Sequence, residues 1–306
     1  MSSTIAPEMR PEHAHPGFGR GDIAIIAASF FWGIGAVVIK NCIEPGAFKV
    51  FVFNGIRMPV VSGLMFLSVL LSGRSITIRK ADIPVFASAS FIGMFLFMVL
   101  NLAGLSGSTV ANFGILMATL PLFILLFAIV LRIEKITVWN VVGIMSGFIG
   151  TIVLTYRGGG LDITWGDFLI ILSCIAWAVF VIMCKSILAR YTPVLAMAWV
   201  LLFASVFQFP LFIRDMALQS FVNLSVSIWI NLAVATVVSL FAGNILFYYS
   251  LKIIGPTRVG AYSYLEPVFT LMLAAILRGE HITFPQIGGL FLIFSGIGMT
   301  HLGRNM

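Results

Sequence analysis

Polar residues in this chain occur as punctuation between long apolar runs, with little alternation along them. Runs of about twenty residues recur from end to end, and charges, prolines or glycines bound each of them. Read against those breakers, the pattern predicts ten helices: 22–40, 47–72, 83–103, 108–131, 138–156, 165–187, 193–214, 227–250, 258–277 and 285–302. A helix needs about twenty apolar residues to cross a hydrocarbon core about 30 Å thick. The joints are short, among them "NCIEPG", "RIEKIT" and "IIGPT", so none holds a separate soluble domain.

Composition strengthens that picture. Hydrophobic residues make up 60% of the chain and charged ones 9%, with a mean hydropathy of +1.10. A soluble domain carries about a quarter charged residues, so a polytopic membrane protein is expected. The net charge of +7 raises the question of a polyanionic partner, but the basic residues sit between the apolar runs, where the positive-inside rule accounts for them. No nucleic acid is expected. With the N-terminus inside, twelve lysines and arginines fall in inner segments and five (Lys40, Lys49, Arg157, Arg214, Arg278) in outer ones. That bias places both termini in the cytoplasm.

Residues 1–20 are polar and proline-rich, without the apolar core of a signal peptide, and read as a disordered cytoplasmic tail. His13 and His15 there are too sparse for a metal site, and Cys42, Cys174 and Cys184 form neither a metal spacing nor a disulfide framework. No metal or cofactor is expected. The expected partners are a small organic solute and membrane lipid, with the chain a monomer or weak homodimer.

An internal repeat runs through the pattern. "LRIEKIT" at 131–137 returns as "LRGEHIT" at 277–283, 146 residues on, and the same offset pairs Pro121 with Pro267, Gly143 with Gly289 and Gly150 with Gly296. Trp32 followed by Lys40 returns as Trp177 followed by Lys185, 145 residues on. The unit, 21–157 and again 163–303, holds five predicted spans. An odd number sets the second copy upside down in the membrane. Inverted repeats are a recurrent architecture of secondary transporters, because near-equivalent halves can open alternately to either side.

From 22 to 302 the chain resembles the drug/metabolite transporter superfamily, and within it the EamA-type family. The resemblance rests on "FFWGIGAVVIK", the arginine of "FNGIRMP", "LMATLPLFILLFAIVLRIEKIT" and, most specifically, "YYSLKIIGPTRVGAYSYLEPVFTLMLAAILRGEHIT". It implies an all-α membrane protein of ten transmembrane helices, arranged as two inverted five-helix repeats around a central cavity. It implies transport of a metabolite by alternating access, as an exporter or exchanger in the cell membrane. It does not identify the substrate. The chain departs from the family's symmetry at Leu120-Pro121, where the second repeat has Glu266-Pro267.

Candidate site residues follow from polar groups lying where apolar ones are cheap. A carboxylate at mid-bilayer costs at least about 2.5 kcal/mol on insertion scales, so Glu266 should face the protein interior. There it would contact a cation or amine, titrate, or bond the Ser263 carbonyl that Pro267 leaves without an amide partner. Pro267 and Pro121 should each kink a helix. Arg57, the other charge deep in a span, would bind a carboxylate or brace helices. By resemblance, the cavity is lined from predicted helices one, three, four, six, eight and nine, which offer Trp32, Asn101, Asn112, Trp177, Asn244, Tyr248, Tyr262 and Tyr264. Such rings and amides suit an amphipathic organic solute, and no carboxylate cluster exists to dehydrate a bare cation.

Three other classes compete. "GLSG" at 104–107 fits the short serine motif of rhomboid-type intramembrane proteases, but nothing in the sequence fixes His281 or His301 against Ser106. The chain is therefore expected not to be an enzyme. A channel lacks its ring of like charges or filter repeat. A non-transporting receptor or scaffold stays open.

Overall fold

The computed structural model describes residues 18–43, 46–156, 163–222, 224–278 and 282–302. Among them helix is the only regular secondary structure. We label the helices α1 (Arg20–Ile43), α2 (Val50–Leu71), α3 (Lys80–Ser106), α4 (Val110–Met117), α5 (Leu120–Val130), α6 (Val138–Thr155), α7 (Trp165–Leu188), α8 (Pro193–Met216), α9 (Val226–Tyr262), α10 (Leu265–Arg278) and α11 (Phe284–Leu302).

Hydroxyl residues set five of the starts. Thr109, Thr137, Thr164, Thr192 and Ser225 each accept a backbone N–H of the first turn, satisfying a donor the helix cannot. Thr137 with Asn140 and Thr164 with Asp167 complete reciprocal capping boxes. Wide π-helical turns interrupt α3 at Phe91–Leu96 and α9 at Ala235–Gly243. Residues 1–17, with His13 and His15, lie outside the described residues.

Helix occupies each of the ten predicted stretches, yet eight helices among the described residues have the length and hydropathy to cross a membrane. The chain is thus membrane-embedded. The two stretches missing from the eight are 258–277 and 285–302. The first is broken between α9, which runs on to Tyr262, and α10, which starts at Leu265; just before it, α9 turns at Gly255, whose φ of 78° and ψ of 170° are non-helical. The second carries Gln286, Thr300 and His301 near its ends, which lower its hydropathy.

Two crossings, of α6 with α11 and of α2 with α8, organise the bundle. α6 and α11 meet backbone to backbone: a Cβ on Gly289 would stand 2.7 Å from the Gly150 carbonyl oxygen, and one on Gly150 would stand 2.8 Å from that of Gly289. Gly143 and Gly296 face each other in the same way one helical stretch along. The Asn140 amide donates to the Thr300 carbonyl and the Gln286 amide to the Leu154 carbonyl, both at 3.5 Å. Small residues permit such approach in membranes, where helix association rests on packing and hydrogen bonds. Elsewhere α1 packs against α9 and α10, while α7 packs against α3, α4 and α5. Ser29 of α1 bonds the Tyr262 carbonyl at 3.4 Å, and Cys174 of α7 bonds the Leu116 carbonyl at 3.6 Å. Each contact sits just before the gap separating α9 from α10 or α4 from α5.

The start of α1 and the end of α11 lie at one end of the bundle, since Asp22 stands 3.6 Å from His301. We call it the terminal end.

Candidate substrate site

Pro267 is the third residue of α10 and Pro121 the second of α5. Proline at these positions costs little, because a first-turn N–H has no intrahelical partner. The expected kinks take the form of one tight turn each: the α-helical pattern lapses over two residues, Ala118–Thr119 and Ser263–Tyr264, while the backbone of Ala118, Thr119 and Ser263 stays in the right-handed region. The Ser263 carbonyl has a partner in the backbone amide of Glu266 at 3.2 Å. The carboxyl group of Glu266 thus has no propping role at that carbonyl, contrary to one of the expectations above.

The Glu266 carboxylate is only partly buried and makes no hydrogen bond or ion pair among the described residues. The buried carboxylates among the described residues differ: Asp22, Asp82 and Asp167 each accept two or more donors. Glu266 is one turn before Phe269, whose backbone lies against Gly33 of α1. Trp32, next to Gly33, is half-buried and packs against Phe247 at 5.1 Å, its ring tilted by 46°, with its indole edge over Gly243. Trp177 of α7 is half-buried too, 6.2 Å from the same Phe247 and 4.9 Å from Phe97. Neither indole N–H has a hydrogen-bond partner among the described residues. Asn101 adds a polar group nearby on α3, its amide 3.2 Å from the Met117 sulfur, which itself lies 3.8 Å from the Cys174 thiol. Two ring faces, two N–H donors and a carboxylate thus flank the breaks.

The other candidates are buried or committed to neighbours, Tyr248 beside the same Phe247 at 5.6 Å. Tyr248 is fully buried with its hydroxyl 3.7 Å from Cys184, and Tyr264 is buried under Gly147 with its hydroxyl unpaired. Asn244 spends its amide on the Leu240 carbonyl at 2.8 Å. Asn112 and Tyr262 belong to polar clusters at opposite ends of the bundle. Arg57 is 4% exposed and donates at 2.7 Å to the Ala235 carbonyl, where the π turn of α9 begins, with its guanidinium 4.6 Å over Phe53. It braces α2 on α9. The "GLSG" segment packs Gly104 and Gly107 on Gly166, Ser106 bonds the Ala103 carbonyl, His301 is at the terminal end, and His281 lies outside the described residues.

Reasoning from sequence missed the charge clusters of the terminal end. There Asp22 pairs with Arg258 at 2.6 Å, Glu134 with Lys185 at 3.4 Å, and Asp82 with Arg190. The Asp82 carboxylate also accepts the Tyr191 hydroxyl at 2.5 Å, and burial, then this bond, push that phenol above its ordinary pKa. Glu134 accepts the Thr257 amide at 3.2 Å beneath Gly255, leaving no room for a side chain there. A cavity of about 370 Å³ opens beside Glu134, Lys185 and Arg258.

The model of the EamA-like transporter family matches residues 19–156 and again 164–302. The chain belongs to the EamA-like transporter family. It is 26% identical to the uncharacterized transporter YetK of Bacillus subtilis, over 91% of this chain and 86% of that protein. An uncharacterized transporter of Archaeoglobus fulgidus is 27% identical over 87% and 93% of the two chains. The uncharacterized inner membrane transporter YedA of Escherichia coli K12 is 26% identical over 97% and 94%. A solved crystal structure superposes with a TM-score of 0.78 at 19% identity, over 93% of this chain and 98% of that one, which establishes a shared fold.

Proposed function

We propose that this EamA-like protein is a secondary transporter that carries a small organic metabolite with an amine or other cationic group across the cytoplasmic membrane, as an exporter or exchanger. Ten crossings, arranged as two inverted five-helix repeats with both termini cytoplasmic, alternate access around a central site. The observation that carries the reading is Glu266: a partly buried carboxylate in the first turn of α10, without a partner among the described residues, on the helix that packs beside Trp32. A charge that the protein leaves uncompensated is one a ligand can compensate. The faces of Trp32 and Trp177 would hold the ligand's apolar body and attract its cation.

The test is flux in proteoliposomes with a panel of amines, amino acids and neutral analogues. Saturable movement of amine-bearing solutes is expected, abolished by Glu266→Gln and weakened by Trp32→Ala and Trp177→Ala at normal expression. Binding without flux in the wild type would make the protein a receptor or scaffold, and full flux in the glutamine variant would remove Glu266 from the site.

A further inference from the structure

One polar constellation is built twice, at opposite ends of the bundle. At the terminal end Asp22, in the first turn of α1, accepts the Gly19 amide at 2.9 Å, the Arg258 guanidinium at 2.6 Å and the Tyr262 hydroxyl at 3.0 Å. At the other end Asp167, in the first turn of α7, accepts the Thr164 amide at 2.8 Å, the Asn112 amide at 3.1 Å and the Ser108 hydroxyl. Asp167 follows Asp22, and Thr164 follows Gly19, by 145 residues, while Arg258 follows Asn112 by 146. A glycine precedes each aspartate and brings it close to the neighbouring half: Gly21 against Ile253 and Ile254, Gly166 against Gly104 and Gly107. In both places the first turn of a helix in one half grips the short helical stretch before the break in the other: Arg258, between Gly255 and the gap after Tyr262, and Asn112, at the start of α4.

We propose that Asp22–Arg258 and Asp167–Asn112 are the latches of two gates, one at each membrane face, that part in turn as the protein changes state. The proposal rests on the transporter reading above. Each latch ties one half to the other, so an opening at that end must break it. The two differ in chemistry. The terminal latch is a buried carboxylate–guanidinium pair, with His301 2.9 Å from the same guanidinium, and parting it separates two opposite charges. Asp82–Arg190 and Glu134–Lys185 reinforce it, every acid coming from residues 19–156 and every base from residues 164–302. In the opposite latch the carboxylate's cross-half partners are a neutral amide and a hydroxyl, whose bonds are weaker than those of an ionised donor. The resting protein therefore stays shut at the terminal end and opens first at the other.

Amide hydrogen exchange on the purified protein in nanodiscs, without substrate, tests this through two segments, 107–113 and 255–262. Arg258→Asn, which makes the terminal latch a copy of its counterpart, should quicken exchange in 255–262 and slow it in 107–113. Asn112→Arg, which makes the opposite latch ionic, should do the reverse. The distant segment should move by about five-fold or more, the lower range of coupling between sites. A latch that only holds its own end together would fray locally, so a change confined to the mutated end in both variants overturns the proposal. Asn112→Arg leaves the terminal end untouched and decides alone if Arg258→Asn does not fold. Reciprocal exchange in a protein that moves no solute would keep the latches and remove the transporter reading.

Discussion

Glu266 and Arg57 both place a charge deep among apolar residues, and their surroundings assign them different work. Arg57 spends its guanidinium on the Ala235 carbonyl, the Asn54 side chain and the Phe53 ring, whereas Glu266 has no partner among the described residues. Replacing Arg57 by alanine should therefore cost stability, about 2 kcal/mol for a lost charge-assisted bond, and lower the melting temperature in detergent. Flux per folded molecule should persist, and its loss at unchanged stability would instead give Arg57 a substrate carboxylate to hold. Glu266, Trp32 and Trp177 were legible in sequence because a charge or a large ring inside an apolar run stands out against its neighbours. Asp22, Asp167 and Arg258 were not, since each sits at the edge of a run, where charge is ordinary. A signal was nevertheless present: the 145-residue offset joining Trp32 to Trp177 also joins Gly21-Asp22 to Gly166-Asp167.

Among the helices, apolar length and its breakers made eight of the ten stretches readable to within a few residues, while the eighth and ninth differ, since α9 runs from Val226 on to Tyr262 and α10 starts only at Leu265. The π turns at Phe91–Leu96 and Ala235–Gly243 were not readable, because no composition marks a wide turn and only neighbouring helices select it. Nor was it legible that Pro121 and Pro267 open new helices, since a proline near the middle of an apolar run looks like a kink. Glycine roles divide in the same way on α11. A Cβ at Gly296 would collide with the Gly143 carbonyl oxygen and stand 2.8 Å from the Gly147 amide, whereas one at Gly298 would meet nothing within 4 Å. Gly296→Ala should thus lower the melting temperature by prying α6 from α11. Gly298→Ala should leave it unchanged or raise stability by about 0.5–1 kcal/mol through helix propensity. Equal effects from the two would show that the crossing is looser than described.

At the scale of the molecule, the three ion pairs of the terminal end each join the two matched segments of the family. They gather positive residues where the positive-inside rule expects the cytoplasm. Reporter fusions at the C-terminus should accordingly score cytoplasmic, and a fusion in the 157–162 joint should score on the other face. Both reporters on one face would contradict the inverted arrangement.

The meeting of α6 with α11 has one more consequence. Asn140 reaches Thr300 as Gln286 reaches Leu154, and Gly143 faces Gly296 as Gly150 faces Gly289. Shifting the first member of each relation by 146 residues yields the second with its partners exchanged. Surfaces related in this way are isologous, the kind that two identical subunits present to each other across a dimer axis. Nothing in such a surface requires its two sides to share a chain. The covalent link through 157–162 keeps the second side at high effective concentration beside the first. It also frees each side to change without its twin, so that one half can hold Glu266 where the other holds Leu120.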